Sequence, residues 1–369
     1  MRVVAAPDKL RGTATAIDAA ASIARAARSA GWECDELPVA DGGEGTLDVL
    51  GGANRTTTVT GPLGEPVVAG WRMTGPLAVI EMSQASGLVL AGGADGNDPV
   101  GASSVGTGEL VAAALDAGAK RILVGLGGSA TTDGGLGALR ALYPLHRYNG
   151  AQITCLCDVR TGFVDAAEVF APQKGASPAQ VELLRRRLER LADVYEADYG
   201  VDVRELEGAG AAGGLAGGLA VAGAQLESGF EAVADEVGLA DAVEGADLVI
   251  TAEGFLDEQS FDGKVVGGVA ELAASLGVPC VAIVGEVVAG LLVAADGTEA
   301  DGTQGDGTES DGTAGGSTGS SDGDAVAAAI ERFGVEVVSL VERFGEDRAR
   351  GDTVACIEAV VRDLLADRR

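Results

Sequence analysis

Residues 125–142 read GLGGSATTDGGLGALRAL. Just upstream, RILV at 121–124 has the length and apolar character of a buried strand. Downstream, Leu136, Leu139 and Leu142 recur at helical spacing. A strand that empties through glycines into a helix presents backbone N–H groups to an anion. The loop between carries the hydroxyls of Ser129, Thr131 and Thr132 and one carboxylate, Asp133. A carboxylate beside a phosphate is tolerable only with a cation between them, or if it faces the attacking hydroxyl.

The same strand, glycine, acid, helix design recurs outward from this stretch. It appears as APDKLRGT with Asp8, Lys9 and Arg11, and as ADGGEGT with Asp41, Glu44 and Thr46. A later copy is AEGFLDEQSFDGK with Glu253, Asp257 and Lys264. VFAPQKGA adds Lys174, and CDV adds Asp158 at a strand end. Glycines admit a phosphate closely, Lys and Arg offset its charge, and carboxylates hold Mg²⁺ or accept a proton. Together these parts point to phosphoryl transfer, although an Asp-Gly turn alone is more often a capped loop.

The ends of the chain read β-α-β. RVVAAPD is a strand, and TAIDAAASIARAARSAG is a helix capped by Thr15 and Asp18 and stopped near Gly31. ADLVITAEG, VPCVAIVGEV and VEVVSLV read as strands, with helices at 263–277 and 352–368. Between the ends, 55–83 alternates Thr and Val with Gly-Pro punctuation, which is antiparallel strand chemistry. Helices are expected at 103–118 and 178–198, and GAGAAGGLAGGLAVAG (208–223) reads as a loop entering a tightly packed helix. The expected fold is α/β with two domains. Residues 1–50 plus 245–369 build a doubly wound, flavodoxin- or Rossmann-like parallel sheet, and 51–244 form a second α/β domain inserted in it.

One stretch breaks this texture. From Asp296 to Asp324, DGT recurs every five residues with no apolar side chain larger than alanine. It cannot bury enough surface to offset the entropy of ordering, so 296–324 reads as a disordered loop. Its spacing fits neither an EF-hand nor a nonapeptide calcium repeat.

Composition narrows the partners. With 56 Asp and Glu against 26 Lys and Arg, the net charge is −30. That argues against nucleic acid, whose phosphates need clustered cations. The acids are spread along the chain, as in a protein adapted to a high-salt cytoplasm. No apolar run is long enough to span a membrane, and MRVVAAPDKL is not a signal peptide. Five cysteines at no framework spacing read as reduced thiols, although Cys155 and Cys157 form a CxC that a metal could use. His146 is the single histidine and sits in no motif, so a Ser/His/Asp triad is a poor reading. There is no Walker loop, protein-kinase set or dinucleotide fingerprint. The residues leave open a small-molecule kinase, an anion-binding module without catalysis, and a hydroxy-acid dehydrogenase.

PVADGGEGT, GLGGSATTDGG, VFAPQKGA, GAGAAGGLAGGL and ADLVITAEG followed by Asp257 and Gly263-Lys264 occur in this order. The series resembles the class I glycerate kinases over nearly the whole chain. The resemblance implies a cytoplasmic two-domain enzyme that moves the γ-phosphoryl of ATP to D-glycerate with Mg²⁺, giving 2- or 3-phosphoglycerate. A kinase of another small hydroxy acid is the near alternative. It also implies roles. Gly127, Gly128, Ser129, Thr131 and Thr132 would cradle ATP phosphate or the glycerate carboxylate, and Asp133 would lie near the reacting hydroxyl. Asp41 and Glu44 would orient glycerate or a metal. Glu253 and Asp257 would hold Mg²⁺, while Arg11, Lys174 and Lys264 would offset phosphate charge. The partners would be D-glycerate and, in a homodimer, a second copy of the chain. The sequence departs from the family pattern at Lys9, at Ala252 in place of a glycine, at Ala171 in FAPQKGA, in CDVRTGF, in a short connection before Cys157, and in the DGT insertion.

Overall fold

The computed structural model describes residues 1–145, 150–288 and 322–368. Its strands are β1 (Arg2–Ala5), β2 (Glu33–Glu36), β3 (Arg55–Thr60), β4 (Pro66–Thr74), β5 (Leu77–Glu81), β6 (Arg121–Gly125), β7 (Gln152–Leu156), β8 (Gln225–Glu227), β9 (Leu248–Leu256), β10 (Cys280–Val287) and β11 (Val335–Ser339).

Both chain ends build one five-stranded sheet in the order β11-β10-β9-β1-β2. Every pair in it is parallel. The central strands β1, β9 and β10 are near-continuous apolar runs, as helices covering both faces require, whereas the edge strand β2 reads ECDE. On one face, Val3, Ala5, Ile250, Val281 and Ile283 pack with the buried residues of helices Ala16–Ser29 and Thr353–Ala366. On the other, Val4, Val249, Ala282 and Val284 meet helix Val265–Ser275. The first helix starts as its sequence dictates: the Asp18 N–H donates to Thr15 Oγ1 at 3.0 Å, and Thr15 Oγ1 donates to Asp18 at 2.7 Å.

Counted in chain order within this sheet, the strands run 2-1-3-4-5, the flavodoxin-like arrangement. The winding direction reverses between β1 and β9. Ligands in such sheets bind at that reversal, outside the carboxyl ends of the strands.

Residues 55–227 build the second sheet, in the order β3-β4-β5-β6-β7-β8. Its first two pairings are antiparallel, as the Thr/Val alternation predicts, and the rest are parallel. One face packs on helices Val105–Asp116 and Ala211–Val221 through Ile80, Leu110, Ile122, Val124 and Leu215. The 208–223 stretch does bend before its helix: Ala212, Gly213 and Gly214 all have positive φ.

The two sheets touch backbone to backbone. Leu126 N–H donates to Gly42 O at 3.0 Å. A Cβ on Gly127 would lie 2.7 Å from Gly43 Cα, and one on Gly42 would lie 2.6 Å from Leu156 Cβ. Glycine is required there because two segments of the chain share the space, whatever else the loops do.

One expectation needs correcting. The segment from Asp296 was read as loop through Asp324, yet helix Asp322–Phe333 already includes its last residues, since Ala325 to Ile330 supply a helical apolar face. Residues 289–321, with the DGT repeats, lie outside the described residues, as does His146. The helix after the opening stretch is also short, Leu136–Ala141, because Pro144 follows closely.

Candidate functional site

Two cavities open at the carboxyl edge of the first sheet and share Asp8, Lys9, Arg11 and Thr13 as a common wall. The larger, about 520 Å³, is completed by Asp41, Glu253, Asp257 and Lys264 among others. The second, about 490 Å³, reaches Glu44, Asp48, Glu81 and Gln84. The cleft therefore lies at the β1/β9 reversal and extends to the second sheet.

Backbone geometry sets its charged groups. Asp8 N–H donates to Ala252 O at 2.8 Å, which seats Asp8 beside Glu253 of β9. Lys9 Nζ lies 3.5 Å from both Asp8 Oδ1 and Asp41 Oδ1. Burial pushes Asp8 up to about 6, against the charge of Lys9. Burial also works to lower Lys9, but Asp8 and Asp41 outweigh it and hold its pKa above the ordinary value. Glu253 is only 8 % exposed, and its Oε1 has no hydrogen-bond partner. Burial pushes that carboxyl up to about 8, with a hydrogen bond from Ser260 opposing and the charge of Asp8 reinforcing it.

From the second sheet comes Asp158, just past β7, which lines a separate cavity of about 270 Å³ and feels the charge of the cleft residue Asp41. Its Oδ1 accepts from Gly229 N–H at 2.8 Å and Ser228 Oγ at 3.4 Å, while its buried Oδ2 has no partner. Burial, then the charge of Asp41, raises Asp158 to about 7. Glu81 ends β5 and ties the two sheets together. Its Oε1 accepts from Gly45 N–H at 2.9 Å and Leu47 N–H at 2.8 Å, which fixes the loop carrying Glu44.

The opening stretch occupies a different place. Neither of the two cavities is lined by residues 127–133 or by Lys174. Lys174, 3 % exposed, donates to Thr131 O at 2.7 Å and Ser129 Oγ at 3.2 Å. Burial lowers its pKa to about 7, with Asp133 opposing. Asp133 Oδ2 accepts from Ser104 N–H and Oγ at 2.9 and 2.8 Å and from Gly137 N–H at 3.2 Å. Its Oδ1 accepts from Gly135 N–H at 3.1 Å. Asn97 Nδ2 donates to Ala130 O and Lys174 O, closing the knot. A Cβ on Gly213 would fall 1.9 Å from Thr131 O, so the GAGAAGG backbone lies against the loop.

The structure thus sorts the expected residues into two groups. Arg11, Asp41, Glu44, Glu253, Asp257 and Lys264 line the cleft. Gly127, Gly128, Ser129, Thr131, Thr132, Asp133 and Lys174 form a packed knot. Asp257 Oδ1 also caps its own turn, accepting from Ser260 N–H at 3.0 Å. Glu81 carried no sequence signal beyond its place at the end of an apolar strand.

Against known proteins, the glycerate kinase family profile matches residues 3–143 and 144–302. The chain belongs to the glycerate kinase family. Relatives include a Bacillus subtilis (strain 168) glycerate kinase, 39% identical over 327 residues, with 78% of this chain and 85% of that protein covered. An Escherichia coli (strain K12) glycerate 2-kinase is 39% identical over 326 residues, with 78% and 85% covered. A crystal structure from Salmonella typhimurium LT2, described as a glycerate kinase 2, superposes with a TM-score of 0.75 at 31% identity. That likeness covers 100% of this chain and 98% of the other. Of the five blocks that carry the family resemblance, two reach the cleft and three lie in or against the knot.

Among the described residues no helix is long and apolar enough to cross a membrane. Among the same residues, no three His, Cys, Asp or Glu side chains converge to cage a metal.

Proposed function

We propose that the protein transfers the γ-phosphoryl of ATP to a hydroxyl of D-glycerate in the cleft at the β1/β9 reversal. The observation that carries this reading is a pair of buried carboxylate oxygens without partners. Glu253 Oε1 belongs to the first sheet and Asp158 Oδ2 extends from the second. Each is a costly orphan in isolation, and each suits one half of a phosphoryl transfer.

Glu253, with Asp8 beside it, fits Mg²⁺. An unpaired buried oxygen among mutually repelling acids gains from a cation. When bound, the ion would neutralise charge on the transferring phosphates. Arg11 and Lys264 offset further phosphate charge, and Asp41 and Glu44 orient the acceptor. Asp158 takes the proton: as the glycerate oxygen bonds to the γ-phosphorus, the phosphorus–oxygen bond to ADP breaks and the hydroxyl proton passes to Asp158 Oδ2. A base poised near neutrality suits that step. Asp133, expected beside the reacting hydroxyl, has both oxygens engaged and instead organises the loop.

This reading takes 1–50 with 245–369 as one working unit and the inserted 51–244 as the other, meeting over the substrates. It places the enzyme in the cytoplasm and takes its acidity as a fit to high salt. The test is ADP formation in KCl with Mg²⁺ and ATP, with and without D-glycerate, the product identified by phosphorus NMR. Glycerate-dependent ADP and a phosphoglycerate resonance are expected. Turnover only with another hydroxy acid would move the substrate, and none with any would overturn the reading.

A further inference from the structure

Phe255 stands apart among the phenylalanines and tryptophans of the described residues. It is 48% exposed, whereas every other Phe and Trp among the described residues is buried or half-buried. It is not a stray surface residue, because it lines the larger cleft cavity.

Its strand explains the position. β1 pairs with β9 only as far as Ile250, and β11 pairs with β10 only as far as Val284. β9 and β10 continue together to Leu256 and Val287, with Phe255 opposite Glu286. They project beyond the carboxyl edge as a two-stranded tongue. Phe255 is two residues past Glu253, about 7 Å along the strand. Small Gly254 and Gly285 flank it on the tongue, Ala349 and Val341 also line the cavity, and Glu286 and Arg350 pair at 3.4 Å. A Cβ on Gly285 would lie 2.4 Å from Gly254 O, so the tongue can carry no bulk at that point.

We propose that Phe255 is the stacking platform for the heteroaromatic base of the phosphoryl donor, which lies along the β9–β10 tongue with its phosphates toward Glu253 and Lys264. This rests on the kinase reading above and adds where the nucleoside sits. An aromatic face beside small residues receives a planar base by stacking, which tolerates any base and is lost on truncation to alanine. The same cavity supplies the cation and the acids that the phosphate end needs.

The test uses the full chain and compares ADP with pyrophosphate, which lacks the base. Phe255→Ala should weaken ADP binding about tenfold in calorimetry. It should leave pyrophosphate binding, the KM for glycerate and the thermal midpoint nearly unchanged. Phe255→Trp should keep ADP affinity. The native Trp32 and Trp71 are only 5% and 3% exposed, so quenching of the added indole by ADP and not by pyrophosphate would report stacking. Wild-type ADP affinity in Phe255→Ala, or equal loss of ADP and pyrophosphate, would overturn the proposal. ADP binding that depends on Phe255 without glycerate turnover would sink the substrate reading alone. Glycerate turnover with ADP affinity indifferent to Phe255→Ala would sink the stacking platform alone.

Discussion

The cleft edge and the 127–133 knot are built from the same residue types, yet they treat their carboxylates in opposite ways. In the knot, Asp133 spends both oxygens on four donors, and Lys174 is consumed by a carbonyl and a hydroxyl. Glu253 at the cleft, and Asp158 in the adjoining cavity behind Asp41, each keep a buried oxygen without a partner, and burial drives their carboxyls up to about 8 and about 7. Satisfied groups hold structure in place. Unsatisfied buried ones signal a ligand or a proton that is still to come. On the reading proposed above, the glycine loop serves as a joint and the cleft carries the chemistry, although Thr132 Oγ1 and Asn97 Oδ1 in the knot are also buried without partners.

This contrast breaks most visibly at Asp158. Asp158→Asn keeps an acceptor for the Gly229 N–H and removes the base, so kcat should fall by about 10²–10⁴-fold with the thermal midpoint nearly unchanged. Steady-state kinetics beside a melting curve reads both, and a kcat within a few-fold of wild type would move the proton acceptor elsewhere.

Two glycines sharpen the contrast through stability. Gly213 has φ +69 and no room for a Cβ, which would sit 1.9 Å from Thr131 O. Gly12, on the cleft wall, has φ +80 but nothing within 4 Å of its Cβ position. Gly213→Ala should cost on the order of 3 kcal/mol or more, and Gly12→Ala only about 1 kcal/mol of left-handed strain. Urea denaturation of the two variants would show it. Equal costs would mean that the knot yields more easily than its packing implies.

A smaller effect should appear at Lys174. In the unfolded chain its amine stays charged up to about 10.5, while in the fold it is neutral above about 7. Between those values the unfolded state binds more protons, so this group makes stability rise with pH across that window. Lys174→Met should remove that part of the rise while costing about 1 kcal/mol for the donors lost by Thr131 O and Ser129 Oγ. Thermal midpoints at pH 7 and pH 9 test it, and a variant with the wild-type pH slope would refute the buried-amine account.

Much of this was legible in the sequence, for physical reasons. Apolar runs such as LVITA and CVAIV can only be strands covered on both faces, and the Thr/Val alternation of 55–60 can only be half-buried. The glycine-acid turns at Asp8 and Asp41 follow strand ends because parallel α/β units place their loops there, whereas Glu253, expected in such a turn, lies within β9, which runs on to Leu256. What the residues did not reveal is which turns face each other. A glycine that frees space for a phosphate and one that frees space for another backbone look alike until Gly43 is seen against Gly127. The roles of Glu81 and Asp158 depend on contacts 36 and 71 residues away in sequence, which no local pattern encodes.

The most direct measurement is Asp133→Asn, followed by kcat and by the thermal midpoint in the same preparation. Replacing one acceptor oxygen with a donor among Ser104, Gly135 and Gly137 should cost about 1–3 kcal/mol of stability. The account predicts a midpoint lowered by several degrees, with kcat and both KM values of the folded enzyme within about threefold of wild type. An unchanged midpoint with kcat reduced a hundredfold would contradict it, and would place the chemistry on the glycine loop.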